Sequence, residues 1–516
     1  MVTPKDLFAK LNRAFGENGK FAFASTFIIG LLTHMSVLTS DIPNHDGLDS
    51  MYFNQNMITS GRWFLGTVCG ISSFYSIPWL IGLLSLIYIA LTAVILIKLL
   101  RVESKICGVL IGAMLVTFPS LASNFAYVFT MDGYMIGLLL AVLSVYLVEM
   151  GRLGFAFGGI ALAFSMGIYQ SYLPIAMLLC LYKVVMLCFE NREIQGKAKS
   201  ILKYLYMGVI GVALYYLILQ VLLKLEGKVL DTYQGINGMA DTGIDILGSV
   251  KAMYADFITF SLKGNIVFAN PIALAFTILL GVAFIAALIY RLIKGKMYKS
   301  VWTYVCGIVV ILLIPIFTNV ILIISPDVTY HLLMRYQWAF FGIMTLAFVD
   351  DTIQKCGYEG KLICLVEWIT VISAVVITFS YSISDNIAYS NLEKKYEKTY
   401  AYCLRLADRI EQTEGYYQGI PIYMIGVVGD DNFPVTDITG DVTGHMLGIS
   451  GDYLLYTFKN YELFYKYYMG ITFNFIPPSE GNYYDDPEYI AMPSFPGEGS
   501  TKVVNGVLFV KTENMH

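Results

Sequence analysis

Charged and polar groups follow the first long apolar run of this chain, near the point where a membrane-spanning segment would end. They are His45, Asp46, Asp49 and Arg62. Charges beside such a segment are costly to place, so their presence needs a reason. A carboxylate that is partly withdrawn from water has a raised pKa and can act as a general base toward a hydroxyl group. We therefore look for the chemistry of the protein here.

Asp46 and Asp49 are three residues apart, so a helical turn puts both on one face and a short loop still keeps them close. Either carboxylate is a candidate base, and His45 is a candidate ligand for sugar hydroxyls. The alternative is that Asp46-Gly47 is a solvated turn, because both residue types favour turns. The sequence leaves both interpretations open.

Three cationic or ionisable groups are candidate ligands for a phosphate. Arg62 is the only cation of the first outer loop, and a guanidinium holds phosphate through two parallel hydrogen bonds. His331 and Arg335 are four residues apart and face the same way if they lie on a helix. The alternative is that these side chains simply reach the membrane surface.

Further polar groups lie in the next two outer turns. Asp132 opens the fourth predicted span, where it either caps that helix or reaches the same pocket as Asp46. Tyr169, Gln170 and Tyr172 carry hydroxyl and amide groups of the kind that bind sugar hydroxyls. Tyrosines at such boundaries also form the aromatic belt of membrane proteins, so this interpretation stays open as well.

The composition indicates an integral membrane protein. Hydrophobic residues make up 57% of the chain and charged residues 14%, with a mean hydropathy of +0.64, whereas soluble domains carry about 25% charged residues. The apolar runs are long enough to cross the bilayer core as helices and lack the alternation of barrel strands. The net charge of -4 is small, so we expect no nucleic-acid partner.

The pattern predicts a polytopic α-helical membrane protein with about eleven spans. They lie near residues 21–40, 77–98, 106–123, 131–149, 153–170, 172–189, 204–225, 270–292, 300–324, 336–350 and 362–384. Lys and Arg concentrate in the loops of one side, which places the N-terminus in the cytoplasm and the tail outside. Two long outer loops, 41–76 and 226–269, could cover a site, and residues 244–262 have the apolar spacing of an interfacial helix.

The chain divides into a transmembrane domain, 1–384, and a small mixed α/β domain, 385–516, on the extracytoplasmic side. This second domain is predicted to contain a charged helix at 391–412, a strand at 421–425, a helix at 451–468 and a hairpin through Asn505-Gly506. The eight cysteines are scattered without a CxxC pair, and no histidine cluster accompanies them. We therefore predict neither a metal site nor a disulfide framework.

The order of these features resembles the glucosyltransferase II (Gtr-type) family of bacterial membrane glycosyltransferases. The segments that carry the resemblance are Asp46-Gly47-Leu48-Asp49, Gly61-Arg62, Asp132-Gly133-Tyr134, Tyr169-Gln170-Ser171-Tyr172, Tyr400 to Glu411, Ile420 to Gly426, and Ala491 to Pro496 with Gly499-Ser500. Many members have an adjacent Asp-Asp pair. Here the acids are separated, so the identity of the base stays open.

The resemblance implies a GT-C-like fold and transfer of glucose or another hexose from a polyprenyl-phosphate donor to a cell-surface glycan. The reaction would take place on the outer face of the bacterial cytoplasmic membrane, with inversion and without a metal or other cofactor. Carried over to this chain, it makes Asp46 the base, Arg62 a phosphate ligand and Asp132 a supporting acid. The main alternative is a transporter or flippase of lipid-linked sugars, which should show charges at mid-depth and related halves. A non-enzymatic scaffold leaves the acidic loop unexplained.

Overall fold

The computed structural model describes most of the chain. The described residues are 3–43, 45–49, 57–71, 76–190, 194–231, 245–263, 271–325, 328–358, 360–425, 454–455, 457–477 and 486–512. Within them the protein is mainly helical, with a small sheet in the C-terminal region.

The described residues form helices of very different lengths, together with several 3-10 turns. In chain order they are α1 (Pro4–Thr39), α2 (His45–Asp49), α3 (Leu65–Cys69), α4 (Pro78–Leu99), α5 (Lys105–Thr117), α6 (Pro119–Phe125), α7 (Met131–Val148), α8 (Gly154–Ile168), α9 (Leu173–Phe189), α10 (Ile194–Glu226), α11 (Ile246–Lys263), α12 (Pro271–Lys294), α13 (Val301–Thr318), α14 (Ile321–Ile324), α15 (Ala339–Cys356), α16 (Lys361–Glu411), α17 (Phe458–Tyr468) and α18 (Pro487–Ala491). Helix α11 confirms the helical spacing predicted for 244–262.

Eight helices among the described residues are long and apolar enough to cross a membrane, and the bent pair α5–α6 makes a ninth. The predicted number of eleven is not confirmed. Helix α8 has 15 residues, about 22 Å at 1.5 Å per residue, which is short of the roughly 30 Å bilayer core. Helix α15 carries Asp350 and Asp351, which limit its apolar stretch.

The 47° bend between α5 and α6 has a local cause. Phe118 is extended (ψ 128°) because the following Pro119 disfavours a helical conformation there and lacks an N–H donor. Beyond the bend, Ser120 Oγ and Asn124 Nδ2 each donate to the Leu333 carbonyl oxygen at 3.2 Å. The bent helix thereby holds the Leu332–Met334 turn.

Helix α1 packs closely on α4 and α5 because small residues line both contacts. A Cβ atom on Gly82 would lie 2.1 Å from Leu38 Cδ2, and one on Gly112 would lie 2.1 Å from Thr26 Oγ1. Such close approach through glycine is typical of helix pairs in membranes. The first helix is therefore fixed in the core, and the loop that follows it has a defined starting point.

Helix α16 runs without a break for 51 residues, about 75 Å at 1.5 Å per residue. The stretches that we predicted as a span at 362–384 and a charged helix at 391–412 are both helical, but the predicted separation between them is wrong. The chain turns polar at Asp385, but no Gly or Pro interrupts the helix. The predicted boundary at residue 385 therefore lies inside one continuous element, and the division into two domains stays a prediction.

The C-terminal sheet has four strands, β1 (Pro421–Ile425), β2 (Asn474–Phe475), β3 (Thr501–Val504) and β4 (Val507–Lys511), in the order β2-β1-β4-β3. Strand β1 is parallel to both neighbours, and β3 and β4 form an antiparallel hairpin. Asn505 and Gly506 have φ values of +50° and +82°, which confirms the predicted hairpin turn. Strand β1 is also confirmed. One core joins β1 and β4 to the end of α16 and to α17.

Candidate active site

The turn before Arg62 depends on Gly61. Residues 58–60 form a 3-10 turn, and Gly61 follows in the left-handed region with φ +75°. A Cβ atom at this position would lie 2.4 Å from Gln170 Nε2 and 2.6 Å from Tyr215 Oη. Glycine is therefore required both for the backbone conformation and for the close approach of these two side chains.

Gln170 braces this turn. Its Nε2 atom donates to the Ser60 carbonyl oxygen at 2.9 Å and to Tyr215 Oη at 3.1 Å. Tyr215 Oη in turn donates to the Gly61 carbonyl oxygen at 3.1 Å. Gln170 is buried, so its amide nitrogen holds the loop that presents Arg62. A direct contact between Gln170 and a sugar stays a prediction.

Arg62 lies against a group of tyrosines, which we call the tyrosine group: Tyr134, Tyr169 and Tyr172. Its Nη1 atom donates to Tyr134 Oη at 3.2 Å, and the guanidinium lies 5.3 Å from the centre of the Tyr169 ring. The rings of Tyr134 and Tyr169 are 4.9 Å apart, and those of Tyr169 and Tyr172 are 5.4 Å apart. This packing orients a half-buried cation by a hydrogen bond and a cation–π contact.

Asp46 lies in the short helix α2, and its side chain is exposed. Leu48, on the same helix, is 1% exposed and belongs to the C-terminal core. The acidic loop is thereby anchored to the C-terminal region. The side chains of His45 and Asp49 lie outside the described part of the structure, so their proposed roles stay predictions.

Asp132 lies in the first turn of α7 and is 1% exposed. Its Oδ1 atom accepts a hydrogen bond from the Gly133 amide at 2.9 Å, and its charge acts on Cys69 and Tyr88. The N-cap residue of α7 is Thr130, so Asp132 stabilises the helix from inside its first turn, where a negative charge is favourable. A supporting role in catalysis stays a prediction.

Arg335 is buried and bound to Asp256 of α11. Its Nη1 and Nη2 atoms donate to the two carboxylate oxygens at 2.7 Å each. The guanidinium also lies 3.9 Å from the centre of the Tyr330 ring and 4.5 Å from that of Phe260. His331 precedes the Leu332–Met334 3-10 turn, so the spacing of four residues does not fall on an α-helix as we assumed.

The glucosyl transferase GtrII family model matches residues 35–350, which is more than half of the chain. The chain belongs to the GtrII family. The matched range contains Asp46, Arg62, Asp132 and Arg335, and the predicted resemblance is confirmed. No curated protein and no solved structure matches the chain. Together with the apolar helices, the family identifies this GtrII protein as a membrane protein and a glycosyltransferase.

No group of three or more His, Cys, Asp or Glu side chains in the described part of this GtrII protein could hold a metal ion. Because the side chains of His45 and Asp49 lie outside that part, a reaction without metal stays a prediction.

Sequence reasoning missed three residues of this GtrII protein. Tyr215 supports the Gly61 turn, Asp256 pairs with Arg335, and Tyr468 donates a hydrogen bond to Asp41. Tyr215 and Asp256 lie on helices whose apolar spacing hid them. A polar residue that faces inward on such a helix was the available signal.

Proposed function

We propose that this GtrII protein transfers a hexose from a polyprenyl-phosphate donor to a cell-surface glycan, with glucose the first sugar to test. The observation that carries the proposal is that Arg62 is oriented against the tyrosine group, within the range that the GtrII family model matches. Arg62 Nη1 donates to the Tyr134 hydroxyl at 3.2 Å, and the exposed carboxylate of Asp46 precedes Arg62 in the same outer loop. A general base and a phosphate ligand are the two groups that displacement at a sugar phosphate requires.

The reaction is a single displacement in a GT-C-like arrangement. The acceptor hydroxyl gives its proton to the Asp46 carboxylate as its oxygen attacks the anomeric carbon of the donor. The bond between that carbon and the phosphate oxygen breaks, and its electron pair leaves with the lipid phosphate. Arg62 stabilises the negative charge that grows on this phosphate. Attack opposite the leaving group inverts the anomeric configuration.

The surface beside the Arg62 turn suits a lipid-linked donor. Ile71 follows α3 and is 63% exposed, and Trp79 begins α4 and is 61% exposed. Large apolar side chains on this scale of exposure are unfavourable in water and favourable against acyl or prenyl chains. The lipid chain of the donor would remain in the bilayer while its phosphate reaches Arg62.

The distribution of cations supports an extracytoplasmic position for this site. Arg101, Lys105, Arg152 and Arg291 lie at the opposite ends of the helices. Because basic residues are retained on the cytoplasmic side, this opposite end faces the cytoplasm. The N-terminus then lies in the cytoplasm, and the C-terminal region lies outside the cytoplasmic membrane.

The test is transfer by purified protein in nanodiscs supplied with radiolabelled polyprenyl-phosphate glucose and a lipid-linked glycan fraction. We expect label to move to the glycan, with the product anomer opposite to that of the donor. Absence of transfer from glucose, galactose, mannose and rhamnose donors would overturn the proposal. Movement of unchanged donor across the membrane of sealed vesicles would support the transporter instead.

A further inference from the structure

A cavity that is open to solvent lies where the first loop meets the C-terminal region. Its polar and aromatic lining comes from Asp41, Ser76, Phe129 and Tyr468. The cavity is separate from the tyrosine group, none of whose members lines it.

The lining combines the two surfaces that a sugar ring needs. Phe129 and Tyr468 are half-buried and offer aromatic faces for the C–H side of the ring. Asp41, Ser76 and the Tyr468 hydroxyl offer hydrogen-bonding groups for the ring hydroxyls. A carboxylate forms stronger hydrogen bonds with hydroxyl donors than neutral oxygens do, so Asp41 is the main polar group.

Asp41 is exposed at the cavity and can accept further hydrogen bonds beside the one from Tyr468. The Tyr468 hydroxyl donates to Asp41 Oδ1 at 3.4 Å, which is a long hydrogen bond. A carboxylate accepts at about four lone-pair positions, so the other positions suit further donors. Partial withdrawal from water raises the pKa of Asp41 above its ordinary value, and the hydrogen bond from Tyr468 opposes this shift.

The walls of the cavity are fixed by packing. The Tyr468 ring is stacked on Phe464, with ring centres 5.5 Å apart and planes 16° apart, and Phe464 is fully buried in the C-terminal core. Gly47 lines the cavity directly after Asp46, and Leu48 anchors the same short helix in that core. The cavity therefore opens beside the proposed base.

We propose that this cavity binds a sugar unit of the acceptor glycan, with Asp41 accepting hydrogen bonds from its hydroxyls and Phe129 and Tyr468 packing on its ring. The inference rests on the proposed function, because it takes Arg62 as the ligand of the donor phosphate. The donor is then held on the side of the tyrosine group, and the sugar in the cavity belongs to the acceptor. Tyr468 gives the C-terminal region a direct part in choosing that acceptor.

The kinetic test compares Asp41→Asn, Phe129→Ala and Tyr468→Phe with wild type in the transfer assay. We expect the acceptor KM of Asp41→Asn to rise about tenfold, because a charged hydrogen-bond acceptor becomes neutral, while kcat and the donor KM stay within about twofold. Tyr467→Phe is the matched control, since Tyr467 lies on the same helix but does not line the cavity. A rise in the donor KM alone, or no change in either KM, would overturn the proposal.

A binding measurement separates this inference from the proposed function. Saturation-transfer NMR with methyl glucoside, methyl galactoside and methyl rhamnoside uses the full-length protein in nanodiscs and needs no turnover. We expect ring-proton signals from at least one glycoside with wild type and Tyr467→Phe, and their loss with Asp41→Asn and Phe129→Ala. No signal with wild type, or equal signals in all variants, refutes the sugar site. If wild type binds a glycoside but transfers no sugar from any donor, only the proposed function fails.

Discussion

Two arginines lie on the same side of the helix bundle, and their surroundings differ. Arg335 is 6% exposed and makes two hydrogen bonds of 2.7 Å to Asp256, with aromatic rings on both sides. Arg62 is half-buried, binds the Tyr134 hydroxyl and lies on the Tyr169 ring. One guanidinium is enclosed by the fold and paired with a carboxylate, and the other is half-buried against tyrosine rings.

The difference is the reason that we assign the donor phosphate to Arg62 and not to Arg335 in the proposed function. A buried, bidentate Arg–carboxylate pair has its charge compensated within the fold, and moving it toward a ligand would leave Asp256 uncompensated. Arg335 therefore fixes α11 against the turn that precedes α15. Arg62 is half-buried against the tyrosine group, and in the proposed function it binds the donor phosphate. To bind a substrate phosphate, Arg335 would first have to break its two hydrogen bonds with Asp256.

The role given to Arg62 in this comparison depends on a general base in the same loop, and Asp46→Asn tests that base. We expect Asp46→Asn to reduce kcat about 1,000-fold, because an amide cannot accept the acceptor proton and general base catalysis contributes roughly 100- to 10,000-fold. The measurement is initial rate of sugar transfer in nanodiscs at equal protein. Asp245→Asn, another exposed aspartate, should keep wild-type activity, since asparagine also caps α11. Equal rates for Asp46→Asn and wild type would reject the base.

Arg335→Gln tests the arginine that is enclosed by the fold. We expect a loss of about 3 kcal/mol in the free energy of unfolding, because Asp256 is left partly buried without its cation. Thermal denaturation in detergent measures the loss. The double variant Arg335→Gln with Asp256→Asn should recover part of it. A variant of unchanged stability but strongly raised donor KM would instead return Arg335 to the phosphate site.

Arg62→Gln tests the arginine that is half-buried against the tyrosine group. We expect kcat/KM for the donor to fall about 100-fold, because the charge that stabilises the leaving phosphate is lost, with little change in denaturation temperature. Arg62→Lys should lose less, since the charge remains although the two-pronged geometry does not. Loss of stability comparable to that of Arg335→Gln, with donor kinetics intact, would show that the two arginines have the same structural role.

Gly61→Ala gives the smallest expected effect and tests the presentation of Arg62. The added Cβ atom meets Gln170 and Tyr215 in a backbone conformation that already disfavours alanine. We expect a cost of about 1–2 kcal/mol in stability and a loss of activity of about tenfold. Gly227→Ala is the matched control, because Gly227 has φ +64° but nothing within 4 Å. Similar activity losses in both variants would point to backbone strain rather than to the Gln170 brace.

Local elements could be predicted from the sequence because their causes are local. The turn at Asn505-Gly506, the strand at Pro421–Ile425 and the helical spacing of α11 each depend on residues within a few positions. The continuity of α16 is also local, but it was missed because a change in polarity was taken for a break. Polarity decides which face is exposed, whereas Gly and Pro decide where a helix ends.

The contacts of the site could not be predicted because they join distant parts of the chain. Gln170 binds a carbonyl 110 residues away, Arg335 binds a carboxylate 79 residues away, and Asp41 meets a hydroxyl 427 residues away. Residue types alone made both Arg62 and Arg335 candidate phosphate ligands. Only the neighbours brought by the fold distinguish them.

The unbroken α16 also sets a distance. Its first half is apolar and its last turns belong to the C-terminal core, so no hinge separates the membrane part from Tyr468 and the cavity beside Asp41. If the chain acts as proposed, the height of the acceptor site above the lipid surface is constant. The enzyme would then modify the glycan residues that lie at that height. Residues that growth of the glycan carries beyond this height would no longer reach the site.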